Sequence, residues 1–192
     1  FQNTNTLKIS PERPVPVLKP SNVVNLLGGA ANVAANLKSL NNSVKLFGSI
    51  AKDINGKKIL ELIKKFKIKN DISTTSIVTT TKTRLINEKN KHLLRVDEEL
   101  SYSDNICLKK LKKDNNKKDL IIICDYAKGA VTKNTIKKIL RFNKNIFVDP
   151  KNKADFYKGA FLVKPNMKQY EKWVGKFNVN KSIKLIKKMK WY

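Results

Sequence analysis

Four short stretches hold residue types that could do chemistry. Gly28-Gly29-Ala-Ala-Asn32 opens a helix-like segment. Paired glycines let a backbone approach a ligand closely, and a helix N-terminus favours hydroxyl or phosphate oxygens. Asn32, one turn in, can bond a sugar hydroxyl with its amide. A tight turn leading into a closely packed small-residue helix explains the same residues, and both readings stand at this point. The other three stretches follow apolar runs: Cys124-Asp125-Tyr-Ala-Lys128-Gly129, Asp149-Pro150-Lys151 and Lys164-Pro165-Asn166. A lysine at such an exit can hold a phosphate as a point charge, or make an ordinary surface salt bridge. Asn166 can serve simply as a helix N-cap.

Several chemistries are excluded. His92 is the only histidine, which removes His-based zinc clusters and Ser-His-Asp catalysis. Cys107 and Cys124 have no C-x-x-C spacing and read as core thiols. The chain contains no G-x-x-x-x-G-K-[ST], and Gly28-Gly29 lacks the G-x-G-x-x-G spacing of dinucleotide folds.

The elements that must position these stretches follow from periodicity. Residues 7–18 read as extended, because Pro11, Pro14 and Pro16 exclude a helix and a central strand and allow an edge strand or arm. Helices are predicted at 29–40, 55–67, 105–112, 132–142, 166–174 and 181–190. Strands are predicted at 44–50, 120–124, 145–149 and 160–163, with Leu120 to Cys124 apolar enough to be buried on both faces. Residues 75–81 and 83–96 read as a hairpin around a polar break at 87–90. From residue 28 onward strands and helices alternate apart from that insertion. This predicts an α/β doubly wound parallel sheet, with ligands at the carboxyl ends of its strands.

Composition bounds the rest. The chain has 192 residues, a net charge of +26 and an apolar content of 41%. Its longest apolar runs are far short of the ~20 residues of a membrane span. Two cysteines in such a length argue for a reduced, soluble, cytoplasmic protein. The charge first suggests a polyanion partner. However, 37 of the 41 basic residues are Lys, scattered along the chain, and only Arg13, Arg84, Arg95 and Arg141 are Arg. Nucleic-acid readers favour Arg, so drift in an A/T-rich gene explains the excess better than nucleic-acid binding does. Phe1 at the start and Trp191-Tyr192 directly after a helical repeat read as cut ends.

In order along the chain, ISPERPVPVL (9–18), LGGAANVAANLKSLN (27–41), DINGKKI (53–59), TTTKTRLI (79–86), LLRVDEE (93–99), DYAKGAV (125–131), VDPK (148–151) and KPNMKQYE (164–171) make a recognisable set. The chain resembles the PfkB, or ribokinase-like, carbohydrate kinases. Within them it is most similar to the heptose 7-phosphate kinase branch, whose domain is joined in many bacteria to an adenylyltransferase. The resemblance implies a ribokinase-like α/β/α sandwich with a mostly parallel sheet, and a small β lid that often makes a homodimer contact. Residues 1–192 would form part of one such domain, roughly its N-terminal two-thirds. The lid segments would lie at about 7–18 and 75–96, and the α/β core at 27–74 and 104–192.

The implied reaction is phosphoryl transfer from ATP, with magnesium, to the anomeric hydroxyl of D-glycero-β-D-manno-heptose 7-phosphate. The 1,7-bisphosphate formed would serve ADP-heptose and lipopolysaccharide-core synthesis. By position, Gly28, Gly29 and Asn32 would contact sugar hydroxyls. Arg84 and Arg95 would take the substrate phosphate, with Asp125, Lys128 and Lys151 completing the substrate site. Asn166 and Gln169 would stand near magnesium and the nucleotide phosphates.

Departures accompany the likeness. The family's N-x-x-E reads Asn166-Met-Lys-Gln169, and its G-x-D-x-x-G reads Ala51-Lys-Asp53-Ile-Asn-Gly56. A pair of lid glutamines is replaced by Lys91-His92. The G-A-G-D stretch that supplies the family's catalytic base is absent, so the isolated chain is expected not to catalyse the reaction. Three other readings remain: another sugar kinase of the family, a non-catalytic basic protein that holds nucleic acid, and a degenerate protein without function.

Overall fold

The computed structural model describes residues 2–87, 89–100 and 108–192. The predicted Cys107 and the first residues of the predicted 105–112 helix lie outside them. Three sheets organise the chain. β1 (Gln2–Ile9), β2 (Pro16–Val23), β5 (Thr81–Ile86) and β6 (His92–Glu98) form a four-stranded sheet in the order β2-β1-β5-β6. β3 (Lys45–Ser49) pairs in parallel with β4 (Lys69–Ser73). β7 (Ile121–Cys124), β8 (Ile146–Asp149) and β9 (Leu162–Val163) form a parallel trio.

The four-stranded sheet gathers the two segments expected to form a lid, with different bounds. Its first strand begins at Gln2, and its second runs to Val23 despite Pro16 and Pro20. Both prolines are tolerated because β2 is an edge strand that pairs only with β1, through a register broken by two irregularities. Residues 75–81 do not form the predicted strand as far as Thr80. Their polar groups bond the 50–53 loop instead: Ser76 N–H donates to Ile50 O (3.2 Å) and Thr79 N–H to Asp53 Oδ2 (2.9 Å).

The α/β part is not one continuous sheet among the described residues. β3–β4 carries α1 (Gly29–Ser39) and α2 (Ile54–Lys65) around a core of Leu27, Ala34, Ala35, Leu46, Ile63 and Ile68. β7–β9 carries α4 (Lys133–Ile139), a 3-10 turn at Ala154–Tyr157 and α6 (Val179–Met189). They pack over Ile123, Ile136, Ile146, Val148 and Tyr157. Helix α1 packs on β3 and reaches β7, so it bridges the two units. Short α3 (Leu108–Asp114) and α5 (Met167–Val174) complete the set.

The β7 run is not buried on both faces. Ile123 is 6% exposed, but Ile122 is 37% and Leu120 48% exposed. In the parallel register Ile122 lies beside Phe147, and Phe147 stacks on Phe161 at 5.8 Å. β4, missed from sequence, contains only Ile72 as a large apolar residue and exists through its pairing with β3.

Candidate functional site

The head of α1, the carboxyl end of β7, the β5–β6 ribbon and the loop after β8 surround one open cleft of about 2040 Å3. Gly28, Gly29, Asn32, Arg84, Arg95, Asp125, Lys128 and Lys151 all line it. The structure therefore brings together every residue predicted to meet the sugar. Asn166 and Gln169 are not part of that lining.

Gly28 is the N-cap of α1, in extended backbone, and no side chain caps this helix end. Ala31 N–H bonds Gly28 O (3.1 Å), and the Gly29 and Ala30 N–H groups ahead of it are open to a hydroxyl or anion. Gly29 has φ +53°, and a Cβ there would stand 3.3 Å from the Tyr126 ring. Glycine is required at 29 twice over, by its backbone and by that ring. Gly28 has open space around it, so no packing contact requires glycine there.

The β5–β6 ribbon sets the cations. Strand alternation puts Lys82, Arg84, Arg95 and Asp97 on one face, and the register pairs Arg84 directly with Arg95 and Lys82 with Asp97. Two like charges opposite each other cost about 0.2–1 kcal/mol. Anions offset that cost here: Arg95 Nε lies 3.0 Å from Asp97 Oδ1, and Lys82 Nζ 3.4 Å from Asp97 Oδ2. Lys128 reaches the same root of the ribbon, 2.5 Å from Glu99 Oε1. The salt-bridge reading of Lys128 thus holds in this state, and Asp97 and Glu99 are partners that sequence reasoning did not single out.

Asp125 differs from these carboxylates. It is 3% exposed. Its Oδ1 accepts the Ala127 N–H (2.7 Å); its Oδ2 accepts the Asn152 amide (2.8 Å) and the Tyr157 hydroxyl. Burial, then the bond to Asp125, pushes the Tyr157 phenol far above its ordinary value, so it stays a proton donor. Burial, then the Asp149 charge, raises the Cys124 thiol and leaves it a poor nucleophile.

Asn166 caps α5 in a full capping box: its Oδ1 accepts the Gln169 N–H (2.9 Å) and Gln169 Oε1 accepts the Asn166 N–H (2.8 Å). The Gln169 amide donates to Pro150 O (2.6 Å), a bond that a carboxylate could not make. Neither residue brings a charge, and the described residues include no cluster of three His, Cys, Asp or Glu side chains suited to a metal. A hard cation favours carboxylate oxygens. These residues do not fit a magnesium site of their own.

Asp53 is the N-cap of α2. Its Oδ1 accepts Gly56 N–H (2.7 Å), and its Oδ2 accepts Thr79 N–H. Ala51, where the family has glycine, is buried with no positive φ, so the loss of that glycine adds no backbone strain. Gly56 cannot change in the same way, because a Cβ there would lie 2.3 Å from Ala51 O.

The pfkB family carbohydrate kinase pattern matches residues 3–191. The chain belongs to the pfkB family of carbohydrate kinases. It is 38% identical over 194 residues to bifunctional protein HldE of Haemophilus influenzae (strain PittEE), covering 94% of this chain and 40% of that protein. Against HldE of Aliivibrio fischeri (strain MJ11) the identity is 34%, covering 89% of this chain and 37% of that protein. This pfkB chain thus spans about 40% of the length of the first of these relatives. Among solved structures it is similar to phosphofructokinase-2 of Escherichia coli in its tetrameric inhibited form. That likeness has a TM-score of 0.68 at 17% identity, over 99% of this chain and 67% of that one. It is also similar to fructokinase from Vibrio cholerae O395 (TM-score 0.61, 13% identity, 98% of this chain and 69% of that one). These likenesses support the ribokinase-like α/β fold. Among the described residues no helix is long and apolar enough to cross a membrane.

Proposed function

We propose that this chain supplies the acceptor-sugar side of a kinase that phosphorylates D-glycero-β-D-manno-heptose 7-phosphate at its anomeric hydroxyl. The sugar oxygen attacks the γ-phosphorus of ATP, the bond to the β-phosphate oxygen breaks, and ADP and the 1,7-bisphosphate leave. Such a product would feed ADP-heptose synthesis in the cytoplasm. The observation that carries this reading is the Arg84–Arg95 cross-strand pair, in the same cleft as the uncapped Gly28–Asn32 helix head. A phosphate on the arginines and hydroxyls at the helix head describe a phosphorylated sugar. The likeness to bifunctional protein HldE supports choosing the heptose among such sugars.

The base that takes the hydroxyl proton is not assigned to this chain. Asp125 is the buried carboxylate of the cleft, and three donors occupy it. Magnesium would have to be held by residues other than Asn166 and Gln169.

The test is ADP release by the full-length gene product with heptose 7-phosphate, unphosphorylated heptose and fructose 6-phosphate. Heptose 7-phosphate should give the highest kcat/KM. Arg84→Ala and Arg95→Ala should each raise its KM about tenfold, the scale of a lost charge-assisted pair. Preference for another sugar overturns the heptose assignment. Loss of turnover without any change in KM overturns the arginine role.

The outer face of the ribbon supports a homodimer. It carries Leu94 and Val96, 51% and 47% exposed. A second copy would cover these apolar side chains, and sedimentation at micromolar concentration would show it. Leu94→Lys should shift the species to monomer.

A further inference from the structure

The loop Pro150–Asn152 is held far more tightly than a connecting loop needs to be. Tyr157 Oη accepts the N–H groups of both Lys151 (3.0 Å) and Asn152 (2.8 Å) and gives its own proton to Asp125. That is the full capacity of a phenol. The Asn152 side chain also donates to Asp125. Gln169 binds Pro150 O (2.6 Å), and Trp173 Nε1 binds Asn152 O (3.2 Å). Both N–H groups of this turn, and the carbonyls of Pro150 and Asn152, are therefore engaged by side chains. The Lys151 side chain alone is exposed, and it lines the cleft.

The same carboxylate that takes the Tyr157 proton holds Ala127 N–H with its other oxygen. Ala127 has φ +54° and immediately precedes Lys128. One fully buried hydroxyl thus ties together the two loops that present Lys128 and Lys151. A core tyrosine needs one partner for its hydroxyl. Three partners on one hydroxyl, two of them in a cationic turn, exceed that need.

We propose that Tyr157 is a positioning residue, whose hydroxyl fixes the Lys151 turn against Asp125 so that Lys151 meets the phosphate of a bound sugar in one preset place. This rests on the phosphorylated-sugar reading above. Preset geometry removes the ordering cost that a flexible lysine pays on binding, so the loss should appear as weaker phosphate binding.

The test uses the full-length gene product with heptose 7-phosphate and MgATP. Tyr157→Phe keeps the ring and removes the oxygen. It should raise KM about fivefold or more with kcat within about twofold, and in a Lys151→Ala background it should raise KM no further. An unchanged KM, or the same KM increase with Lys151 absent, overturns the proposal. Should Tyr157→Phe fail to fold, Asn152→Ala, which removes one strand of the clamp, is expected to give a smaller KM increase, again only with Lys151 present. An Asn152→Ala increase that persists without Lys151 also overturns the proposal. If the wild type turns over no phosphorylated sugar, the kinase reading fails, and inorganic phosphate becomes the ligand titrated. Affinity lost in both Lys151→Ala and Tyr157→Phe supports the clamp. Affinity lost in Lys151→Ala alone, or no phosphate binding by the wild type, overturns it.

Discussion

The ribbon and the floor of the cleft hold their carboxylates by opposite means. On the ribbon, Asp97 and Glu99 are met by cations, Lys82, Arg95 and Lys128, at partly exposed positions. On the floor, Asp125 is buried and met by neutral donors: a backbone N–H, an amide and a phenol. Cations at an exposed ion pair can exchange one anion for another at small cost. Neutral donors around a buried charge cannot leave without stranding it. The ribbon is therefore suited to give its cations to a ligand, and the floor is suited to stay still beneath it.

The sharpest way to break that contrast is Asp125→Ala. It strands the Tyr157 hydroxyl and the Asn152 amide and frees the exposed Ala127 N–H, and each buried unpaired group costs about 1–3 kcal/mol. A loss of about 3 kcal/mol is expected in urea unfolding, at the large end for a point mutation. A loss below 1 kcal/mol would place the floor in the same class as the ribbon.

Gly56→Ala probes the β3–β4 unit with a purely steric change. The new methyl would meet the backbone oxygen of Ala51 at 2.3 Å, which no rotamer relieves. Overpacking of this kind costs about 1–3 kcal/mol, so about 2 kcal/mol should be lost, read as a fall in thermal midpoint. Gly28→Ala, with open space at its Cβ, should lose much less stability and report on ligand access instead.

Asp53 extends the comparison to pH. Burial works against its charge, but the Thr79 and Gly56 N–H bonds outweigh burial and hold its carboxyl below the ordinary 3.8. A depressed folded value means the stabilisation is complete above about pH 4 and is lost as pH falls through the lower folded value. Asp53→Ala should cost about 1 kcal/mol at pH 7, the usual value of a lost N-cap. It should also flatten the acid limb of a stability-against-pH curve below pH 4. An acid limb as steep as the wild type's would show that other carboxylates set it.

Much of this was legible in the sequence because it depends on local pattern. Periodicity located α1, α2, α5, α6, β3, β7 and β8 to within a few residues. The spacing of Gly28, Asp125 and Lys151 at strand and helix ends anticipated their meeting in one cleft. What was illegible depends on partners distant in sequence. Lys69–Ser73 is polar and becomes a strand only by pairing with β3. Thr79 lies in a β-rich run but spends its hydrogen bonds on Asp53 and Ala51. Tyr157, in a polar stretch with no periodicity, gave no sign that its hydroxyl would serve two loops. Gln169 read as the loss of an acid, and only the structure shows its amide bound to Pro150 O.

The smallest expected effect is on the ribbon. Asp97→Asn removes the charge facing Lys82 and Arg95 but keeps the shape and a hydrogen-bonding oxygen. Exposed pairs of this kind contribute about 0–1 kcal/mol, and salt screens them. The stability change should therefore stay below about 0.5 kcal/mol at 0.15 M salt and vanish at 1 M. Inorganic phosphate should bind the variant more tightly, because Arg95 and Lys82 lose their resident competitor. A salt-independent loss above 1 kcal/mol would mean that Asp97 is held as Asp125 is, and the division between an exchangeable ribbon and a fixed floor would fall.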